Sequence, residues 1–412
     1  MDIWKALEQN RLDVLQDFLK GGTSANKADG YGRPLLAHAR SVEAIQILKE
    51  HAAYFRHLSV YRETPLHMVP DDPDMVRELV SNGVDINERT SIRPYMTALA
   101  YALSRGRFRA AEALIDLGAR LNPLDGHEKS PLAALCSLPM SAYRSPEEPM
   151  RSEAVNAMLE RMLEAGADPN PDCFGMPSPL ELVVRSGNLQ GAEMLLRFGA
   201  RVTCSTIHMA VAAHDAGRWA DHGWRLGKEI PDDNAILEML LGHMDRAELA
   251  STEIYSPMYA AVRKGDGGSP EETASRLRMF DMLVRAGAPL KGTLLYAKGL
   301  EVTRWLLERG ADPDESNLEG FTAAHFAAEN GEEKVLAELI RHGACPDARE
   351  QRDQDTPLMC AARNGHRKCV EILLDAGADP DLTNRHGQTA AELAKPGLDD
   401  ILEKSEHAVL RP

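Results

Sequence analysis

The chain has 412 residues, of which 43% are apolar and only 5% aromatic, and its formal net charge is −16. Nucleic acids and anionic membranes need clustered cations on the proteins that bind them, so this acidic balance argues against both as the main partner. No run of about 18 apolar residues occurs and the first residues lack a signal-peptide core, so we expect a cytoplasmic protein that does not cross a membrane.

Residues 1–62 predict two short helical units that cap one end of the chain. Apolar residues from Trp4 to Leu19 recur at helical spacing, and Gly21 and Gly22 end this first pair of helices. A turn at residues 29–32 leads into a shortened second unit. These features predict an N-terminal cap.

Residues 63–203 repeat one unit with a single long insertion. A Thr-Pro-Leu-His segment begins at Thr64, and the glycines that close successive units, Gly83 and Gly118, lie 35 residues apart. The next closing glycine, Gly166, follows after 48 residues because of an insertion at about 137–152, between the two helices of that unit. Gly199 then closes a unit of ordinary length.

Residues 204–292 depart furthest from the period. Two more insertions, at about 214–234 and 265–275, fall at the same point between paired helices, and Gly287 closes this region. We therefore expect irregular repeats here, with three lengthened inter-helix loops in the chain as a whole.

Residues 293–387 contain a short unit followed by two regular ones, and residues 388–412 form a C-terminal cap. Thr322 and the Thr356-Pro357 pair stand where helices should begin, because a hydroxyl can accept a backbone N–H and proline suits the first turn. Gly331 and Gly365 should end those helices. The closing glycines of the two regular units, at positions 343 and 377, lie 34 residues apart.

A period near 33 residues with a Thr-Pro-Leu-His-like start resembles the ankyrin-repeat family, in the uneven style of its bacterial members. The resemblance implies an all-α solenoid of about 11–12 helix-pair repeats with short β-turn fingers, running as a single array over residues 1–412. Stacking is required because one helix pair cannot bury its apolar face alone.

The resemblance also implies a non-catalytic scaffold that binds another protein through its concave face and middle insertions. Candidate contacts are the aromatic and arginine side chains that differ between repeats, since such residues often anchor interfaces. They are Tyr31, Arg33, Arg93, Tyr95, Phe174, Arg352 and Arg385 at the turns, and Arg218, Trp219, Trp224 and Arg225 in the middle insertion. Two alternatives stay open: the turns are unconstrained loops, or the tryptophans cover a neighbouring helix.

No motif predicts a catalytic, cofactor or metal site. The His and Asp residues of the middle insertion lack the tight spacing of zinc ligands, and His67, His208 and His325 should bridge neighbouring turns. The six cysteines are scattered, which is typical of a reduced, intracellular protein.

For the function, the acidic charge suits a basic partner, including a toxin that the chain would neutralise as an immunity protein. The alternatives are a host-directed effector or adaptor and an enzyme with its site in the irregular centre. We expect a monomer in the free state.

Overall fold

The structure, a computed structural model, describes residues 2–138, 150–214, 234–251, 257–263, 265–266, 269–398 and 401–402. Over these residues the chain is helical, and its β structure is limited to isolated bridges at the turns. The predicted all-α repeat solenoid is confirmed. The chain divides into two compact units, the first of which contains residues 2–201, while the second begins at Val202.

The first unit contains helices that follow one another in pairs. In chain order they are Ile3–Glu8 and Leu12–Lys20; the 3₁₀ turn Leu35–His38 and Val42–Glu50; Pro65–Met68 and Pro73–Ser81; Ala98–Ser104 and Phe108–Asp116; Pro131–Cys136 and Met150–Glu164; and Pro179–Ser186 and Leu189–Arg197.

The second unit continues the same alternation. Its helices are Cys204–His214 and Ala235–His243; the short helix Arg246–Ser251; Pro257–Val262 and Pro270–Ala286; the 3₁₀ turn Leu294–Tyr296 and Leu300–Glu308; Ala323–Asn330 and Glu333–Arg341; Pro357–Asn364 and Arg367–Asp375; and Ala390–Leu393.

The helices of the two regular repeats begin and end where the sequence predicts. The Thr322 side chain accepts from the third helical residue, and the Thr356 hydroxyl accepts from the Met359 N–H. Gly331 and Gly365 end these helices in the left-handed conformation, with φ of 72° and 80°, which costs glycine least. Local capping chemistry therefore sets the helix bounds.

Small and branched apolar residues fill the core between neighbouring repeats. Ala328 and Ala362 are fully buried, which lets adjacent first helices approach closely, and Leu339 and Leu373 are buried on the second helices. Burying each leucine contributes on the order of 1.5–3 kcal/mol. Because each helix pair buries its apolar face against the next, stability comes from nearest neighbours.

The insertion at 265–275 is corrected in part, because much of it is helical and not a loop. The helix Pro270–Ala286 has 17 residues, whereas the second helix of a regular repeat has nine. Ser269 accepts from the Glu272 N–H and Pro270 occupies the first turn, so a strong local start extends the helix backwards. The helix Met150–Glu164 has 15 residues, and its first residues lie inside the predicted 137–152 insertion.

Candidate protein-binding surface

The turns that precede the first helices of the first unit, here called fingers, are linked to one another through the backbone. The five fingers are residues 29–33, 59–63, 88–95, 125–128 and 173–176. The Val60 N–H donates to the Tyr31 carbonyl at 3.1 Å, the Tyr95 N–H to the His127 carbonyl at 3.1 Å, and the Phe174 N–H to a carbonyl of the preceding finger at 2.8 Å. These bonds fix the fingers in register.

Ion pairs join three of these fingers to the finger that follows. Each arginine of a pair donates to a carboxylate of the next finger, which adds a side-chain link to the backbone ladder. The pairs are Arg33–Glu63 at 2.8 Å, Arg62–Glu88 at 2.6 Å and Arg89–Asp125 at 2.7 Å.

The arginine predicted as a contact residue in the first finger is one of these links. The side chain of Arg33 is 22% exposed, and its hydrogen bond to Glu63 raises the pKa of the guanidinium. Arg33 therefore links two fingers, and little of its side chain is exposed to a partner.

The finger tips of the first unit expose large apolar side chains. We call this set of four residues the finger row: Tyr31 (55% exposed), Val60 (70%), Ile92 (55%) and Phe174 (67%). The Tyr31 ring centroid lies 6.4 Å from that of Tyr61, and the Phe174 ring lies 5.5 Å from His127. Separate apolar residues on a surface are ordinary, but their recurrence on fingers that are held in register indicates an interaction surface.

Tyr95 and Arg93 lie together in the middle of the row. The Tyr95 ring is flanked by two guanidinium groups, with Arg89 at 4.9 Å and Arg93 at 5.8 Å from its centroid. Arg89 is paired with Asp125, whereas Arg93 is exposed and donates to the Tyr95 hydroxyl at 3.4 Å. An arginine held over an aromatic ring is already oriented for a partner.

The fingers of the second unit are ordered in the same way but are more polar. The Gln351 N–H donates to the Glu319 carbonyl at 2.8 Å, and the Arg385 N–H donates to the Asp353 carbonyl at 2.7 Å. The exposed Arg385 side chain also donates to the Gln351 carbonyl, while the neighbouring tip residue Arg352 is exposed. Both predicted arginines are thus at finger tips.

The remaining predicted contacts, Arg218, Trp219, Trp224 and Arg225, lie outside the described residues. The same is true of Asp215, Asp221, His222, Asp232 and Asp233, which make up most of the His and Asp cluster in that insertion.

Two of the recurring histidines bridge neighbouring turns, as the sequence predicts. The Thr322 N–H donates to Nδ1 of His325 at 3.1 Å, so Nε2 carries the proton and donates to the Asp355 carbonyl at 3.1 Å. His67 makes the equivalent bonds to Thr64 and to the Met96 carbonyl. Burial lowers the pKa of both imidazoles, which favours this neutral form.

The thiols and acids of the described chain show no metal-binding arrangement. Within the ranges that the structure describes, no three His, Cys, Asp or Glu side chains are grouped as ligands. Burial raises the pKa of the Cys360 thiol to about 12, as fits a small core residue. Among the helices within the described residues, none is long and apolar enough to span a bilayer.

Paired short helices, glycine-ended and joined by ordered fingers, define a helical repeat protein. A model described as ankyrin repeats, in three copies, matches residues 294–384, and a single ankyrin-repeat model matches residues 61–91. The chain belongs to the ankyrin-repeat family.

Curated relatives are ankyrin-repeat proteins that share part of their length with this chain. The Caenorhabditis elegans ankyrin repeat and KH domain-containing protein mask-1 is 30% identical over 285 residues, which cover 66% of this chain and 9% of that protein. The Homo sapiens ankyrin repeat and SOCS box protein 6 is 33% identical over 210 residues, 48% of each chain. The Dasypus novemcinctus ankyrin repeat, SAM and basic leucine zipper domain-containing protein 1 is 35% identical over 129 residues, which cover 31% of this chain and 24% of that protein.

Proposed function

We propose that this chain is a non-catalytic scaffold that binds a protein partner along the finger row. The observation that carries the proposal is the recurrence of an exposed apolar side chain on successive fingers: Tyr31, Val60, Ile92 and, further along, Phe174. Membership of the ankyrin-repeat family supports a general role in binding another protein.

The fingers are already held in place in the free chain, and this favours binding. Part of their conformational entropy has been lost before a partner associates. Backbone bonds between fingers and the Arg33–Glu63 pair hold the tips before a partner arrives. Less conformational freedom is then lost on association, and more of the apolar burial appears as affinity. Arg93 and Tyr95 would add the aromatic and guanidinium contacts that often dominate interfaces.

The net charge of −16 favours a basic partner, because opposite charge speeds encounter and suppresses wrong pairings. On this ground we propose a narrower role, in which the chain acts in the cytoplasm as a monomeric inhibitor of a basic protein such as a toxic enzyme. A role as an immunity protein is one form of that proposal, and a host-directed adaptor is the alternative.

The test compares two sets of surface variants in affinity purification from the source cell. The double variant Ile92→Ser and Phe174→Ser removes the centre and one end of the finger row. Loss of one interface hot spot costs about 2 kcal/mol, or roughly 30-fold in affinity, so partner recovery should fall at least to that extent.

Leu318→Ser is the matched control, since Leu318 is 97% exposed at a finger tip of the second unit. It should leave recovery unchanged. Equal recovery with the double variant and the unmodified chain would refute the finger row as the binding surface. Equal losses with both variants would show a non-specific apolar effect.

A further inference from the structure

Several repeats have only a single turn in place of a full first helix, and such a turn leaves room beside the next repeat. Two of them are Pro65–Met68 in the first unit and the 3₁₀ turn Leu294–Tyr296 in the second. Both precede a repeat of ordinary length, whose first helix is Ala98–Ser104 or Ala323–Asn330. The two places can therefore be compared residue by residue.

In the first unit an arginine fills this room. Arg107 precedes the helix Phe108–Asp116, and its Nη1 donates to the Val69 carbonyl at 2.6 Å, just after the short helix. The guanidinium is half-buried, and burial lowers its pKa. The side chain thus supplies donors to a carbonyl that a longer helix would have paired internally.

In the second unit a glutamate stands in the equivalent position. Glu332 precedes the helix Glu333–Arg341 with φ −79° and ψ 69°, against −85° and 74° for Arg107. Its N–H donates to the Ala327 carbonyl at 2.9 Å, as that of Arg107 donates to Ala102 at 3.0 Å. The backbone is the same at both places, but the side chain has the opposite charge.

A cavity of about 220 Å³ lies at this second place. Leu295, Val335 and Phe326 form apolar and aromatic parts of its lining, and the residue that corresponds to Val69, Ala297, also lines it. Glu332 lines it as well, and burial raises the pKa of this carboxyl while Lys298 partly opposes that effect. A half-buried carboxylate in the wall of a cavity is an acceptor for a hydrogen-bond donor with positive charge.

We propose that this cavity receives one arginine side chain of a basic protein partner, held by Glu332 and Ala297 in the way that Arg107 is held within the first unit. The inference rests on the proposed function, since it assigns the chemistry of one anchor on that partner. Phe326 adds a ring face against which a guanidinium can pack.

Two positively charged side chains line the same cavity and affect which ligand it prefers. Lys298 and Arg263 are both exposed, and Arg263 is 5.5 Å from the Tyr259 ring centroid. Because Lys298 competes for Glu332, its removal should strengthen binding of an incoming cation. The same two cations would attract an acidic ligand, so an acidic probe belongs in the test.

The experiment titrates the isotopically labelled full chain with three small probes and follows backbone amide shifts by NMR. N-acetyl-arginine amide carries the proposed group, N-acetyl-citrulline amide has its shape without the charge, and N-acetyl-glutamate amide has the opposite charge. We expect shifts at Leu295, Ala297 and Val335 with the arginine probe, and at least tenfold weaker binding of the citrulline probe. Equal binding of the citrulline probe, or tighter binding of the glutamate probe, would overturn the proposal.

Three variants test whether the Glu332 carboxylate, and not the rest of the cavity lining, holds the arginine probe. Glu332→Gln should weaken the arginine probe at least tenfold, Glu332→Arg should abolish binding by filling the cavity from within, and Lys298→Ala should strengthen it. Unchanged binding by Glu332→Gln would refute the site.

The control is the same substitution at the next residue along the chain. Glu333 pairs with Lys368 at 3.2 Å, and its carboxylate is 44% exposed. Glu333→Gln removes one negative charge from the same region of the surface without changing the cavity lining, so it should bind the arginine probe as the unmodified chain does. Equal weakening by both variants would show a general charge effect and would count against Glu332 as the specific acceptor.

The result of the probe titration can be distinguished from that of the partner-recovery experiment. The Ile92→Ser and Phe174→Ser variant should bind the arginine probe normally, because its substitutions lie on the finger row. If the probe fails to bind while partner recovery still depends on the finger row, the arginine site alone is wrong.

Discussion

At the scale of single residues, the bridging histidines show how the repeat uses one uncharged tautomer. Nδ1 of His325 accepts the Thr322 N–H while its Nε2 donates across to the next turn. A second proton on Nδ1 would remove that acceptor and place a charge in a buried position. Protonation should therefore loosen both the helix start and the link between turns.

The first prediction is a loss of stability in mild acid that arises at His67 and His325. Burial lowers the pKa of both from the ordinary 6.5. The unfolded chain therefore binds protons first, and their contribution to stability is lost as the pH falls from about 6.5 through the lower folded values. NMR titration of the imidazole protons should give both midpoints below 6.5.

His325→Gln is the matched variant, because glutamine can still complete a capping box with Thr322. It should cost about 1 kcal/mol at neutral pH through the lost bond to Asp355. It should also flatten the dependence of the melting temperature on pH below about 6.5. An unchanged slope would show that His325 does not contribute to the acid response.

At the scale of elements, the single-turn helix Pro65–Met68 depends on a side chain from the next repeat. The Val69 carbonyl ends the short helix Pro65–Met68 and receives its donor from Arg107. A longer helix would bury its last carbonyls within its own ladder or pass them to a capping glycine.

Arg107→Met tests this dependence while it keeps most of the side-chain volume. The Val69 carbonyl would lose its charged donor, and a buried group without its partner costs about 1–3 kcal/mol. Urea unfolding should show a loss of that size. Arg109→Met, at an exposed position of the following helix, should change stability by less than about 0.5 kcal/mol, and an equal loss in both variants would contradict the assignment.

Helix starts and ends could be predicted from the sequence because their chemistry is local. Thr322 and Gly365 act on residues within one turn, so their types suffice. A prediction from the repeat period alone places the start of the long helix Pro270–Ala286 too late. It misses the local start signal, which is Ser269 followed by Pro270. Strong capping chemistry overrides the average length of a repeat.

Parts of the candidate site could not be predicted because they depend on residues about one repeat apart. The sequence predicts Arg33 as a contact for a partner, but its ion pair with Glu63, 30 residues away, could not be predicted from local sequence. Val60 and Ile92 escape prediction because they stand at finger tips, where the repeat imposes no residue type. The contrast between Arg107 and Glu332 becomes visible only once both short elements are placed.

At the scale of the whole molecule, the repeats differ in how well each is packed against its neighbours. The two regular repeats, between residues 322 and 377, bury alanine and leucine ladders, and their first helices are capped at both ends. In the short repeat before them, the Trp305 indole N–H is buried with no hydrogen-bond partner among the described residues. Such a group costs about 1–3 kcal/mol, although Arg309 packs over the ring at 4.0 Å.

Because nearest-neighbour terms dominate in repeat proteins, we predict that irregular repeats open before regular ones. Native-state hydrogen exchange should give lower opening free energies for amides in Ala235–His243 and Pro257–Val262 than for those in Pro357–Asn364. The helix Pro357–Asn364 serves as the internal standard, because it is measured in the same sample and its start and end are both capped. Equal protection after correction for intrinsic exchange rates would mean that cooperativity extends through the second unit and that the uneven period carries no energetic penalty.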